Sequence, residues 1–430
     1  MNVLITFLGT GDYKEVTYVW GEGAEERSVC TKFFPLAAVE IFQPDDVLLL
    51  VTREVREGSG RERYERLCQQ LGERARTVAI PDGKSEREVW EILERIAAEV
   101  RSDSAIILDV THAFRSLGLS AFTIAAYLRR ARNVHVRRII YGAYEARHPQ
   151  QESHSSGKDR APIFDLTPLL DLVDWLGAAE FFLRRSDATL LGERLQDIHQ
   201  AAWQKRVGED VPRKLKSVGR TLLEFSQALH LARPLEVMDY ACKLARLLED
   251  IKPEVECWAK PFEVILEQVQ AETQRLAHDN PKRLDRENLR KQLVLVEHYV
   301  DKGLFIQAVT LMREWVVSWI ILQRGGGNWL EREPREKIGK ILALATRVPL
   351  EESGDELLRW FQGLPCSEVV SNLWDRLVDM RNDLAHCGMR EGAARSASFG
   401  TRVRELLDSL KALLESYQKR CLSGSALFWM

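Results

Sequence analysis

The chain has no Cys-x-x-Cys pair and no cysteine–histidine spacing suited to a metal; its 7 cysteines are scattered. That excludes zinc fingers and ribbons. With no leader-like start and no long apolar span, it points to a reducing, cytoplasmic compartment and to no membrane association. Neither charge is in excess. Lys and Arg number 61 and Asp and Glu 64, for a formal net charge of -3. This excludes a broad nucleic-acid-coating surface while leaving room for a local basic cleft. There is no internal repeat, no basic helix-turn-helix, and no carboxylate cluster of the kind that holds a divalent cation. What is there is a chain of 430 residues, 45% hydrophobic and 29% charged. That is enough for two or three domains of roughly 100–200 residues each.

The first part alternates strands and helices. Residues 2–8 read as a buried strand, and residues 14–20 as another, ahead of a Gly21–Gly23 turn. Residues 31–42 read as a helix broken by Pro44-Asp45-Asp46. Further strands are expected at 47–51, 77–80, 106–108 and 134–141, with helices over 61–72, 86–100 and 114–131. Ser85 followed by Glu88 is a capping-box pattern. The pattern predicts an α/β fold with a mostly parallel, doubly wound sheet, whose ligands sit outside the carboxyl ends of the strands.

That rule selects the loop Gly9–Tyr13 after the first strand, with Gly9, Thr10, Gly11 and Asp12 as its candidates, Thr52-Arg53 after the next apolar one, Gly83 in the Asp82–Ser85 turn, residues 109–116, and Gly142–Tyr144. Gly9-Thr10-Gly11 either lets backbone amides approach an anion or makes a plain tight turn. It lacks the third glycine and the immediate helix of a dinucleotide fingerprint, and Thr52 stands where an acidic residue would be needed. Both argue against a dinucleotide-dependent enzyme. The richest loop is Asp109-Val110-Thr111-His112-Ala113-Phe114-Arg115-Ser116. Thr111 and Ser116 offer hydroxyls, His112 a ring donor, and Arg115 a phosphate fork. Helix capping and a surface ion pair are the plainer readings. Four polar groups at one strand-to-helix junction favour an anion site.

From Leu169 to about residue 285 the chain is helical, punctuated by Pro212, Pro234, Pro253 and Pro261, and carries no motif with chemistry. Residues 287–300 and 304–323 are two helices broken at Asp301-Lys302-Gly303, and Gly325-Gly326-Gly327 ends the second. A helix over 402–417 completes a small bundle. Within it, Arg381-Asn382-Asp383-Leu384-Ala385-His386 closes a helix whose apolar face runs through Val370, Leu373, Trp374, Leu377 and Leu384. Arg381 falls on that stripe and so requires a carboxylate, a phosphate or a polar cleft. Glu314 is the candidate partner; Arg313 is either a second phosphate contact or a solvated edge. His386 lies about 140° round the helix, and Gly388 is expected to stop it. Arginine clamps phosphate, and histidine moves protons near neutral pH.

Residues 109–112 with Arg115-Ser116-Leu117 resemble the Asp-x-Thr-His-Gly signature of the CRISPR-associated Rossmann-fold (CARF) sensor proteins, with Ala113 in place of the glycine. The resemblance extends over residues 7–12, 81–84, 141–144 and 162–170. Arg381 to His386, with Asn382 after the arginine, resembles the Arg-x-x-x-x-His hallmark of HEPN ribonuclease domains. A chain that begins like a CARF sensor and ends like a HEPN domain is similar to a group of CRISPR ancillary ribonucleases. The resemblance implies a Rossmann-like CARF domain over 1–170, a helical connector over 171–285, and an all-α HEPN bundle over 286–430. It also implies a cyclic oligoadenylate made by type III CRISPR complexes as activator, tetra-adenylate before hexa-adenylate. That ring would be bound across a homodimer, or a higher homo-oligomer, whose two-fold axis suits a symmetric ligand. The substrate implied is single-stranded RNA, cut without metal or cofactor. The RNA's own 2′-hydroxyl would then be the nucleophile, with His386 as general acid or base, Arg381 on the phosphate and Asn382 orienting them. Some relatives also cleave their own ligand, which would fall to Thr111 or His112. The rival reading is a non-catalytic cyclic-nucleotide sensor with a regulatory helical module.

Overall fold

The computed structural model describes residues 1–112, 115–148, 159–205, 211–345, 347–348 and 354–422. It divides into two compact units, 1–174 and 175–430.

Among the described residues of the first unit, the strands are β1 (Asn2–Leu8), β2 (Val16–Trp20), β3 (Arg27–Thr31), β4 (Asp46–Val51), β5 (Ala75–Ala79), β6 (Ala105–Asp109), β7 (His135–Gly142) and β8 (Arg160–Asp165). They form one sheet in the order β3-β2-β8-β7-β6-β1-β4-β5. The run from β5 to β7 is parallel throughout. β8 pairs antiparallel with β7, and β3 antiparallel with β2. β1 lies at the centre and is buried from Val3 to Leu8, as the continuous apolar run required of a strand covered on both faces. Side chains alternate between two cores. Val3, Ile5, Phe7, Leu48, Leu50, Ile106 and Leu108 face one; Leu4, Leu8, Val47, Leu49, Val51 and Ile107 face the other. The second core is completed by helices α1 (Phe34–Phe42), α2 (Arg53–Glu57) and α3 (Arg61–Leu71). The first is completed by α4 (Glu86–Glu99), α5 (Arg115–Ala131) and the start of α6 (Thr167–Arg185).

The expected helix over 31–42 is shorter, because Arg27–Thr31 is the edge strand β3 and α1 begins at Phe34 with Pro35 in its first turn. β3 is polar and mostly exposed, so no apolar alternation betrayed it. β8 carries Pro162, which speaks against a strand in sequence.

The second unit is helical among its described residues: α7 (Thr189–Lys205), α8 (Leu215–His230), α9 (Pro234–Asp250), α10 (Lys252–Trp258), α11 (Lys260–Leu276), α12 (Arg286–Asp301), α13 (Phe305–Gln323), α14 (Arg332–Leu344), α15 (Glu356–Gln362), α16 (Ser367–Ala385) and α17 (Ser396–Leu422). One apolar core runs from Trp175 to Leu414. Its axis is α13, flanked by α12, α14, α16 and α17. By length and composition α13 is apolar enough to cross a membrane, against the expectation of no such span. It is the buried core helix, with Trp315 and Trp319 enclosed and the Trp315 indole donating to the Leu289 carbonyl at 2.9 Å. The last helix begins six residues earlier than the expected 402 and reaches Leu422.

α7 and α8 cross backbone to backbone at two glycines. A Cβ on Gly192 would lie 2.6 Å from the Gly219 carbonyl oxygen, and one on Gly219 2.5 Å from that of Gly192. Gly219→Ala should therefore cost about 1–3 kcal/mol by overpacking. Gly339→Ala in α14, where a Cβ meets open space, should stabilise by up to about 1 kcal/mol. Urea unfolding of the two variants checks the opposite signs.

Candidate ligand and catalytic sites

The strand order reverses direction about β1, so the crevice for a ligand opens where the carboxyl ends of β1 and β6 lead away. β6 ends on Asp109, which is fully buried. Its carboxylate accepts from the Thr6 hydroxyl on β1 and from the Thr111 amide at 2.8 Å. The Thr111 hydroxyl accepts from the Gly142 amide of β7 at 2.8 Å and also hydrogen-bonds Asp109. Asp109 and Thr111 thus fasten the ends of β1, β6 and β7 together. Burial pushes the Asp109 carboxyl up to about 6, with the hydrogen bonds from Thr111 and Thr6 opposing it.

That fastening presents His112 at the crevice. Its ring stacks on Tyr13, with centroids 4.1 Å apart. Its Nε2 is enclosed and finds no partner among the described residues. Burial holds its pKa down to about 4. Tyr13 closes the loop after β1: its hydroxyl oxygen accepts the Gly9 amide hydrogen at 2.9 Å. Arg63 reaches over from α3 and donates to the Thr10 carbonyl at 2.9 Å and to the Ser59 carbonyl at 3.1 Å.

The structure therefore gathers Gly9, Thr10, Thr111 and His112 in one place, with Gly11 and Asp12 exposed on the same loop. Thr52 is different. It is buried at the end of β4, and its hydroxyl accepts from the Val55 amide as the N-cap of α2. Gly83 takes φ +73 in the turn after β5, where Lys84 pairs with Asp82 at 2.6 Å and Ser85 caps α4. Arg115 and Ser116 open α5, but their side chains fall outside the description, as does the whole of Ala113. Arg63 was missed in sequence, and Tyr13 was placed in the candidate loop without a role. Tyr13 had a signal in its place after the glycine turn. Arg63, one of many charges on an amphipathic helix, had none.

In the second unit α16 ends at Ala385, with His386 as C-cap. The Gly388 amide bonds the Asp383 carbonyl at 2.8 Å and the Cys387 amide that of Leu384 at 3.1 Å, which is a Schellman closure. Cys387 is left-handed (φ 55), and the expected Gly388 follows it at φ 69. Asp383, 5% exposed, accepts from Arg390 Nε at 3.1 Å and from the Ala394 amide at 3.2 Å, tying the following loop back to the helix. Arg381 and His386 are left exposed and Asn382 half-exposed. Arg381 is one residue past the buried stripe rather than on it, and its guanidinium reaches the Asn382 side-chain oxygen at 3.3 Å. Glu314 is not its partner. That carboxylate pairs with Arg335 at 2.6 Å and Arg313 at 2.8 Å, and Arg313 lies over the Trp374 ring. No group of three His, Cys, Asp or Glu among the described residues has metal-binding proximity.

An α/β sheet whose switch-point crevice is lined by a glycine turn and an Asp-x-Thr-His turn defines a Rossmann-like ligand-binding domain. Residues 3–145 match the family described as CRISPR system endoribonuclease Csx1, CARF domain, and residues 171–279 that of CRISPR-associated protein MJ1674, second domain. The chain thus carries a CARF domain of the CRISPR-associated kind in its first unit. It is 28% identical over 174 residues to CRISPR-associated protein MJ1674 of Methanocaldococcus jannaschii, a match covering 35% of this chain and 26% of that protein. The chain thus spans about a quarter of that relative's length. The structure of Enterococcus italicus Csm6 bound to cyclic hexa-2′-fluoro-hexa-dAMP aligns with 97% of this chain and 94% of its own, at 14% identity and a TM-score of 0.43.

Two tests follow from this geometry. Asp109 keeps its proton up to about pH 6 when folded, against an ordinary 3.8. Its contribution to stability is full below 3.8 and lost as pH rises through 6. His112 stays neutral down to about pH 4 rather than 6.5. Its contribution is full above 6.5 and lost as pH falls through 4. The two oppose each other. In urea titrations between pH 4 and 6.5, Asp109→Asn should make stability rise more steeply with pH than wild type, and His112→Gln should make it rise less or fall. Separately, Cys387→Gly should raise unfolding free energy by about 1 kcal/mol, because a left-handed conformation costs an L-residue roughly that much.

Proposed function

We propose that the chain is a metal-independent endoribonuclease of type III CRISPR defence, acting on single-stranded RNA and switched on by a cyclic oligoadenylate, tetra-adenylate first. The observation that carries this reading is the end of α16. Arg381, Asn382 and His386 stand clear of the core there, while Asp383 alone between them is consumed in holding the loop. An exposed arginine and histidine at a rigid helix end suit a phosphodiester. The family matched over residues 3–145 is named for an endoribonuclease. In this reading residues 1–170 sense the ring, 171–285 connect, and 286–430 form the HEPN nuclease.

The 2′-oxygen attacks the adjacent phosphorus and the bond to the 5′-oxygen breaks. One proton leaves the 2′-hydroxyl and another reaches the departing 5′-oxygen. The products are a 2′,3′-cyclic phosphate and a 5′-hydroxyl. His386 acts as general acid or base, Arg381 stabilises the phosphorane charge, and Asn382 orients the phosphate. One histidine cannot stand on both sides of the phosphorus at once, so a homodimer that supplies two copies is the working form. The ring switches it on by binding the active arrangement more tightly than the inactive one. The setting is the cytoplasm; the 6 described free cysteines, Cys30, Cys257 and Cys387 exposed among them, suit a reducing compartment.

The test is cleavage of a fluorescent single-stranded RNA in EDTA, with no ring, cyclic tetra-adenylate or cyclic hexa-adenylate. One ring should switch cleavage on. His386→Ala should lower it at least about 100-fold, and the matching DNA should survive. Ring binding without cleavage would point to the non-catalytic sensor. Cleavage unaffected by His386→Ala would place the active site elsewhere.

A further inference from the structure

The crevice at the ends of β1 and β6 is filled from within. Tyr13 lays its ring on His112 at 4.1 Å between centroids, tilted by 38°, and meets Phe33 edge-on at 6.0 Å. Its hydroxyl oxygen takes the hydrogen of the Gly9 amide at 2.9 Å. Gly9 is the first residue past β1, and its amide is the donor that a strand-end glycine turn would offer to an anionic oxygen. The fit is close. A Cβ on Gly9 would lie 3.1 Å from the Tyr13 hydroxyl and 3.3 Å from the His112 carbonyl oxygen.

Two further polar groups around this ring are unspent. Nε2 of His112 and Nε of Arg63 are both enclosed and without a hydrogen-bond partner among the described residues. Arg63 is held at the loop by one other nitrogen, Nη2, which donates to both the Thr10 and Ser59 carbonyls, so its Nε stays beside the loop. Buried polar groups left unpaired are uncommon and call for a reason. Polar groups waiting beside an aromatic plug are what a site looks like when its ligand's place is taken.

A flat ring stacked on a histidine, with an oxygen on a backbone amide, is also the outline of a nucleobase with a ribose or phosphate oxygen. We propose that Tyr13 is an intramolecular latch that occupies the seat of one nucleotide of the ligand, and that the ligand binds by displacing it from His112 and the Gly9 amide. This rests on the reading of the first unit as a cyclic-oligoadenylate sensor. In the latched state the ring competes with an internal occupant at fixed, high effective concentration. Apparent affinity falls by the fraction of molecules unlatched, so Tyr13 sets the ligand concentration at which the sensor fills.

The test is equilibrium binding of cyclic tetra- and hexa-adenylate to the full chain, as wild type, Tyr13→Phe and Tyr13→Ala. Tyr13→Phe keeps the ring and its packing and releases only the Gly9 amide. It should bind the activating ring about 2- to 10-fold more tightly, the worth of one hydrogen bond. Tyr13→Ala releases the stack as well and should bind at least as tightly. Damage to the loop cannot tighten binding, so the sign separates a latch from a structural part. Weaker binding by Tyr13→Phe would overturn the proposal and make Tyr13 a direct contact of the ligand. Equal binding by all three proteins would show that Tyr13 never leaves its place. If none of the three binds either ring, the sensor reading itself fails and takes the latch with it.

Discussion

A carboxyl group sealed inside a protein is expensive, and much of the first unit's site is arranged around one. Asp109 is enclosed completely at the end of the apolar strand β6. Burying it is tolerable only because Thr6, the Thr111 amide and the Thr111 hydroxyl all address it, in keeping with the rule that buried polar groups are partnered. The consequence is geometric. Three parallel strands are held in step at their carboxyl ends, where an open sheet offers its crevice. Thr111 is turned inward by the same bonds, and His112, next in line, is thrust toward the loop after β1. A hydroxyl that looked available to a ligand is used to build the place where the ligand would sit.

The α/β class was legible because its causes are local and periodic. Apolar runs such as Val3–Leu8 and Val47–Val51 are buried on both faces, and β-to-α alternation limits the topology to few choices. Two strands were not legible. β3 is polar because it lies exposed at the edge of the sheet. β8 lies inside the sheet between β2 and β7, but it carries Pro162, which reads against a strand. At the site, adjacency in sequence was readable and adjacency in space was not. Gly9-Thr10-Gly11 and Asp109–His112 announced themselves as strand-end loops. Arg63 arrives from a helix, 53 residues downstream of Thr10, with no mark to distinguish it. Arg381 shows the opposite failure. Spacing put it on the apolar stripe of α16, but a helical face is about 100° per residue wide in steps, and one step past Met380 is solvent.

Both candidate sites divide labour in the same manner. Inside Arg381–His386, the most buried polar residue is Asp383, and it bonds to Arg390 and Ala394 rather than facing outward. Inside Asp109–His112, the most buried is Asp109. In each case an acidic side chain fixes the backbone so that a neighbour need not. Histidine placed by such a frame loses little freedom on meeting a substrate, which is where positional precision contributes to rate or affinity. α13 supplies the second unit's rigidity from beneath, through Trp315, Trp319 and their neighbours.

The loop after β1 answers to another constraint. A crevice meant for a polar ligand must keep donors unpaired until the ligand arrives, and an unpaired buried donor is costly. Pairing the Gly9 amide with Tyr13 relieves that cost without sealing the site permanently, since one side-chain rotation undoes it. Such an occupant affects threshold and response differently. In the reading proposed above, coupling between the ring and the Arg381–His386 end is reciprocal: whatever the ring does to that end, that end does to ring affinity. Displacing Tyr13 enters only the first of these exchanges. It shifts the concentration at which the sensor fills, and leaves untouched the size of the change once it has filled. On that reading a sensor and its output would be tuned by separate residues on one chain, Tyr13 acting on the threshold and other residues on the response.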